Sequence, residues 1–202
     1  MAADKPDVPD GGKAAVAPAA LLLAEIERLR AELIKAEWKI AELEARADVD
    51  PLLDILNRRG FDRELARSLA YVKRYSTAAA LVFIDLDDFK AVNDRHGHGA
   101  GDALLKAVVA GLKAHVRASD TVARLGGDEF AVLMWNLDAA QTTAKAHELE
   151  SIIAGTAVAH GPARLSVGAS AGSVPLAGDA TPAAIMEAAD QAMYARKRER
   201  RR

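Results

Sequence analysis

From Leu22 the apolar positions step by 4, 3, 4, 3, 4, 3 and 4 through Ile26, Leu29, Leu33, Ala36, Ile40, Leu43 and Ala47. A seam at that spacing predicts a helix that meets a partner helix along a narrow stripe. No Pro or Gly interrupts Leu21 to Val49. With Ile26 at heptad position a, Glu25 and Lys39 fall at g, and Arg30 and Glu44 at e. A parallel dimer would then set Glu25 against Arg30 and Lys39 against Glu44. Glu32 facing Glu37 is the one like-charge pair, and Trp38 falls at f, outside the seam. The other reading is a single amphipathic helix packed on its own domain. Charge all round the polar faces favours the dimeric coiled coil. Residues 1 to 18, rich in Ala, Pro, Gly and Asp without a period, predict a flexible tail.

Asp50-Pro51 ends or kinks this helix, because the residue before Pro avoids helical torsions. Beyond it the period changes repeatedly. Asn57 to Tyr75 reads as a helix. Ala79 to Asp85 is a continuous apolar run ending in acid, as a central strand does. A helix starts over Phe89 to Asn93, and another covers Ala103 to Val116. Thr121 to Leu125, Gly126-Gly127 and Phe130 to Trp135 read as strand, tight turn and strand. Ala139 to Ala157 is predicted helical, and Ala163 to Val174 alternates as one strand. Thr181-Pro182 opens a last helix that runs to about Arg198. Strands interleaved with helices, plus one hairpin, predict an antiparallel or mixed sheet with helices on its faces.

Composition narrows the function classes. The chain has 202 residues, and 27 Lys and Arg against 29 Asp and Glu leave a net charge of −2. That balance argues against a nucleic-acid coat, which needs a cationic surface. Zero cysteines exclude disulfides, thiolate metal sites and a Cys nucleophile. The longest apolar run, Ala14 to Ala24, falls short of the ~20 residues a membrane span needs and contains Pro18. Asp4, Asp7 and Asp10 before it leave no positive region for a secretory signal. The expectation is a soluble, cytoplasmic protein.

The chemistry gathers at strand ends. Asp85, Asp87 and Asp88 close the apolar strand, where clustered carboxylates repel unless a cation neutralises them. Asp87 or Asp88 could instead cap the helix that follows. A second acidic pair, Asp128-Glu129, follows the Gly-Gly turn; a plain solvent-exposed turn is its simpler reading. If the hairpin neighbours the Ala79–Asp85 strand, the two clusters converge into hard oxygen ligands suited to Mg²⁺ or Mn²⁺. The helix after Asp88 offers free amides, with Lys90 in its first turn, as an anion site. Asn93 and Asp102 carry acceptors for the paired N–H donors of a guanine edge, or else act as helix caps. His96 and His98 could pair on a transition metal, but the chain has no Cys to join them.

These residues resemble one family. Arg124-Leu125-Gly126-Gly127-Asp128-Glu129-Phe130 contains the signature of the GGDEF family of diguanylate cyclases. Asp85-Leu86-Asp87-Asp88-Phe89-Lys90-Ala91-Val92-Asn93-Asp94, then Gly97-His98, Gly101-Asp102 and Leu105, resemble its second block. Asp50-Pro51-Leu52 and Asn57-Arg58-Arg59-Gly60-Phe61 are similar to its opening. Asp190, Ala192, Met193, Tyr194 and Lys197 are similar to its closing helix. The resemblance covers residues 50 to 201 in order.

The resemblance implies condensation of two GTP into cyclic di-GMP and two pyrophosphates, with two domains facing each other. It implies that Asp85, the Leu86 carbonyl and Asp128 bind Mg²⁺ (or Mn²⁺), that Asp128 helps deprotonate the attacking hydroxyl, and that Glu129 assists. Asp88, Phe89 and Lys90 would hold phosphates, Asn93 and Asp102 would read guanine, and Lys197 and Arg201 would reach the phosphates from the last helix. Arg117-Ala118-Ser119-Asp120 resembles the family's inhibitory product site, where cyclic di-GMP would bind Arg117 and Asp120. A loop salt bridge is the plainer reading of that motif. The family's Leu-Thr-Gly-Leu stretch is here Leu52-Leu53-Asp54-Ile55, and Arg200 stands where a Gly is usual.

The expected architecture is an α/β (α+β) sandwich, a palm-like nucleotide-cyclase sheet flanked by helices. A disordered tail (1–18), a coiled-coil dimerisation helix (19–49) and the cyclase domain (50–202) would follow in order. The expected function is a Mg²⁺-dependent diguanylate cyclase acting as a homodimer. Its partners would be GTP and cyclic di-GMP, with no nucleic acid and no membrane span. The alternative is a non-catalytic module that binds GTP or cyclic di-GMP and signals through partner contacts.

Overall fold

A computed structural model describes the backbone of residues 13–200, and the side chains of residues 20–39 and 47–200. Arg201 and the side chains of Ile40 and Leu43 therefore lie outside the described residues. Contacts divide the chain between Arg46 and Ala47 into two units.

The first unit is α1 (Lys13–Ala47), a helix that begins earlier than the seam alone predicted. Leu22, Ile26, Leu29 and Leu33 of the seam are all exposed in the single chain. Arg28 bonds Glu25 at 2.7 Å and also reaches Glu32 on the same helix.

The second unit is built on a six-stranded sheet. Its elements are β1 (Val49–Asp50), β2 (Ile55–Leu56), α2 (Arg58–Tyr75), β3 (Ala79–Asp87), α3 (Phe89–His96), α4 (His98–His115), β4 (Thr121–Arg124) and β5 (Glu129–Trp135). They continue with α5 (Ala139–Gly155), β6 (Ala157–His160), β7 (Ala163–Ser166), β8 (Gly168–Pro175) and α6 (Pro182–Arg200). The sheet order is β1-β2-β4-β5-β3-β8, with β2 and β4 parallel and the other pairs antiparallel. The expectation of a mixed sheet flanked by helices holds.

Strand alternation sends successive side chains to opposite faces, and each face buries its own core. Val82, Ile84, Leu86, Phe130 and Val132 pack with Phe89 of α3, with Leu104 to Leu112 of α4, and with Leu149 and Ile153 of α5. Leu81, Phe83, Ala131 and Leu133 pack with Phe61, Leu65 and Leu69 of α2 and with Ile185, Ala189 and Met193 of α6. This double burial is why the β3 sequence is continuously apolar rather than alternating.

Two expectations are corrected. Residues 163–174 form two strands, not one. β7 pairs with β6 in a separate hairpin that turns at Gly161 (φ 57°), whereas β8 joins the main sheet beside β3. The Ala-rich 157–160 segment continues the composition of α5, so the pattern hid a strand there. α4 also starts at His98, behind Gly97, and not at Ala103, so Asp102 lies inside the helix and is not its cap. Among the described residues, no helix is long and apolar enough to cross a membrane.

Candidate active site

The site grows from the end of β3. Asp85 and Asp87 project to the face covered by α2 and α6, and Leu86 turns its 1% exposed side chain to the opposite core. Only the backbone of Leu86 can serve at this site, as the expected carbonyl role requires. Asp85 stands directly opposite Glu129 across the β3–β5 ladder. The Leu86 N–H donates to the Asp128 carbonyl at 3.1 Å, which latches the turn of the β4–β5 hairpin to β3. The two acidic clusters therefore do converge.

Arginines hold the turn. Arg124 donates from Nε to the Gly126 and Gly127 carbonyls, each at 3.2 Å, and from Nη2 to Gly127 at 2.8 Å. Its Nη1 reaches Asp50 at 3.1 Å. Arg58 bonds the Leu125 carbonyl at 3.1 Å and lies 3.6 Å from Glu129. The turn glycines keep ordinary negative backbone angles. A side chain at Gly127 would meet nothing within 4 Å, so its absence leaves open space over the turn.

Burial pushes the Asp85 carboxyl above its usual range; Lys197 opposes this, and Asp128 and Asp87 add to it. Burial likewise raises Glu129; Arg58 opposes it, while Asp85, Asp128 and Asp190 reinforce it. Negative charge thus accumulates in a half-buried pocket of hard oxygen donors, which is the environment a divalent cation relieves. Among the described residues no three acids form a ready cage.

α6 brings cations to this end. Gly172 of β8 makes the approach possible, because a Cβ there would lie 1.9 Å from the Met193 backbone nitrogen. Lys197 pairs with Asp85. Arg200 reaches Asp87 at 3.2 Å, and the Ser170 hydroxyl donates to the other Asp87 oxygen at 2.9 Å. Arg196 turns the other way and grips buried Glu150 of α5 at 3.0 Å. Glu150 also accepts the Ala171 N–H at 2.9 Å, so one carboxylate ties α5, α6 and β8 together. Burial and charge both went unpredicted for Glu150; an isolated Glu within α5 gives no such signal.

At the start of α3, Asp88 occupies the cap position in the left-handed region (φ 55°), and its side chain makes no capping bond. Its carbonyl accepts from Ala91 at 2.9 Å. Neither Asp87 nor Asp88 is thus a conventional side-chain cap. The Phe89 and Lys90 amides, at the start of α3, have no partner within the helix, as helix geometry dictates. Phe89 anchors this end, 6% exposed in the core, and Lys90 is exposed. Asn93 is half-buried, and its Oδ1 lies 2.0 Å from where a Cβ on Gly101 would stand. Gly101 therefore seats Asn93 beside exposed Asp102. The backbone carbonyl of Asn93 accepts from Gly97, which ends α3 in its place.

Arg117 and Asp120 lie at the opposite end of the sheet. Asp120 Oδ2 accepts the Arg117 N–H at 2.9 Å, and Oδ1 accepts the Trp135 N–H at 3.2 Å. The motif is a backbone-latched turn rather than a salt bridge, and Arg117 is exposed.

A sheet whose central strand and neighbouring hairpin end in convergent acids, beside a helix N-terminus and flanked by cations, defines an α+β domain with a charged site at one end of its strands. The diguanylate cyclase, GGDEF domain, family profile matches residues 47–202, and the chain belongs to this family. It is 38% identical over 187 residues to diguanylate cyclase TpbB of Pseudomonas aeruginosa, covering 89% of this chain and 41% of that protein. It thus spans about two fifths of that relative's length. A sensory box/GGDEF family protein of Caulobacter crescentus is similar in structure (TM-score 0.69, 37% identity, 75% of this chain and 99% of that one). The coiled coil and GGDEF domain of DgcB from Caulobacter crescentus, solved in complex with c-di-GMP, is similar over 88% of this chain and 95% of that one (TM-score 0.71, 27% identity).

Proposed function

We propose that this chain is a diguanylate cyclase, joining two GTP into cyclic di-GMP with release of two pyrophosphates. The observation that carries the reading is the convergence of Asp85 with Asp128 and Glu129, through the 85–129 register and the Leu86–Asp128 hydrogen bond. Asp85, the Leu86 carbonyl and Asp128 would hold Mg²⁺ or Mn²⁺, which when bound supplies charge neutralisation at the transferring phosphate and acidifies the attacking hydroxyl.

The chain's own residues do the rest. The amides of Phe89 and Lys90, with the Lys90 ammonium, receive the triphosphate at the α3 N-terminus. Asn93 and Asp102 accept hydrogen bonds from the guanine edge; adenine lacks the paired donors they require. Asp128 takes the proton of the 3′-hydroxyl as its oxygen bonds the α-phosphorus of the other GTP and pyrophosphate leaves. Lys197 pairs with Asp85; with a divalent cation held by Asp85, its ammonium would be available to the phosphates. Arg201 stands four residues on and serves the same phosphates. Repeating the step with the two GTP exchanged closes the ring.

Two GTP-loaded domains must meet, so the working unit is a homodimer. The exposed seam of α1 supports assembly through a parallel coiled coil, turning a bimolecular encounter into an intramolecular one. Arg117 and Asp120 form a product site at which cyclic di-GMP inhibits. The solved DgcB domain in complex with c-di-GMP supports this reading of the ligand.

Purified chain incubated with GTP and Mg²⁺ should yield cyclic di-GMP, and Asp128→Ala should lower turnover by about 10²-fold or more. GTP binding without product in the unaltered chain would favour the non-catalytic module instead.

A further inference from the structure

The Arg117–Asp120 turn is a wall between two cavities. One, about 650 Å³, carries Lys113, Arg117 and Asp120. The other, about 400 Å³, is lined by Ser68, Tyr71, Ser119, Trp135 and Asn136. Glu64 borders both. The second cavity belongs to none of the machinery described above, yet its lining is unusual for this chain.

Two of the chain's three tyrosines and one of its two tryptophans gather here. Tyr71 meets Trp135 edge-on at 5.5 Å and Tyr75 at 4.5 Å, and Tyr71 is 49% exposed. An exposed aromatic group in a protein this poor in aromatics offers a face on which a planar ring can stack. The Ser68 hydroxyl, on a residue 2% exposed, lines the same cavity and has no hydrogen-bond partner, the one such buried side-chain atom among the described residues. A buried hydroxyl left unbonded costs free energy that a ligand acceptor would recover. Ser119 and Asn136 add polar atoms at the rim. The volume lies within the roughly 300–1,000 Å³ typical of small-molecule sites.

We infer that this cavity is a purine-stacking cleft that extends the product site, so that cyclic di-GMP bound at Arg117 lays one guanine against Tyr71 and Trp135. A cyclic dinucleotide carries hydrogen-bonding edges and phosphates next to flat purine faces. The two cavities present the matching pair of chemistries on either side of one turn. The coupling is direct: Asp120 accepts the Trp135 backbone N–H, and Ser119 of the motif lines the cleft. The inference rests on the product-site reading and adds the residues that would set its affinity for the base.

Trp38→Phe leaves Trp135 as the only tryptophan, and Trp38 itself is 75% exposed. In that variant, cyclic di-GMP should quench Trp135 fluorescence saturably. By calorimetry Tyr71→Ala should weaken cyclic di-GMP binding by about tenfold. Tyr71→Phe, which keeps the stacking face, should restore it, and inhibitor-free turnover should stay unchanged in both. Binding lost in Arg117→Ala but unaltered in Tyr71→Ala, with no quenching, overturns the cleft alone. Absence of any cyclic di-GMP binding to the unaltered chain overturns the product site and the cleft with it.

Discussion

Lys197 stands against the first acid of the proposed metal site. Its ammonium pairs with Asp85 from 112 residues away and opposes the rise that burial imposes on that acid. Metal binding requires Asp85 ionised. Removing the lysine takes away a group that favours the ionised form, so the Asp85 pKa rises further. Lys197→Met should therefore move the acid limb of the kcat/KM profile to higher pH. A limb that stays in place while turnover falls would leave Lys197 a phosphate ligand without influence on Asp85. None of this was legible in the sequence, because spacing along a chain carries no information about a pair so far apart. The same holds for Arg124, whose place in the signature was visible but whose grip on the turn carbonyls was not. The acids themselves were legible, since a continuous apolar run ending in Asp and a Gly-Gly hairpin each mark a strand end.

At the scale of elements, α6 decides whether those acids have cationic company. Three features place it: the bare backbone of Gly172, the Glu150 carboxylate that receives Arg196, and the apolar seat of Ile185, Ala189 and Met193. Gly172→Ala puts a methyl group within the backbone of Met193. The expected cost is about 2 kcal/mol or more in denaturant unfolding, with turnover reduced because Lys197 rides on the displaced helix. An unchanged unfolding midpoint would show that α6 yields freely. The last helix was legible from its Thr-Pro start, but its closeness to β8 was not, since a glycine in a strand marks a close approach without naming the partner. α1 poses the opposite case. Its helix was legible from the seam, and in the single chain Leu22, Ile26, Leu29 and Leu33 stay uncovered. Glu25, the expected interhelical partner of Arg30, is held by Arg28 on its own helix at 2.7 Å. Ile26→Asp with Leu33→Asp should cut specific activity about tenfold or more at submicromolar protein, with recovery as concentration rises. Equal specific activity at all concentrations would remove the stalk as the dimeriser.

For the whole molecule, the sheet separates two kinds of site. The acids of the proposed active site collect where β3 ends and β5 begins, and the Arg117–Asp120 turn with its aromatic cavity lies at the far end of the same strands. On the proposed reading, product held there would not compete with GTP for Asp85, and inhibition would act by restraining how domains meet or move. The fold class and the order of the major elements were legible from apolar periodicity. The short strands β1 and β2 were not, because two residues carry too little pattern to register, and β6 was hidden by a composition continuous with α5. Everything in the proposed chemistry depends on Asp85 and Asp128 gripping one divalent ion together. Mn²⁺ binding, followed by electron paramagnetic resonance with a non-hydrolysable GTP analogue, tests it in Asp85→Asn, Asp128→Asn and the double variant. Each single change should weaken Mn²⁺ by about tenfold or more, and the double should be little worse than the weaker single, as for groups that act as a unit. Full Mn²⁺ affinity in either single variant, or two losses that simply add, would contradict the account.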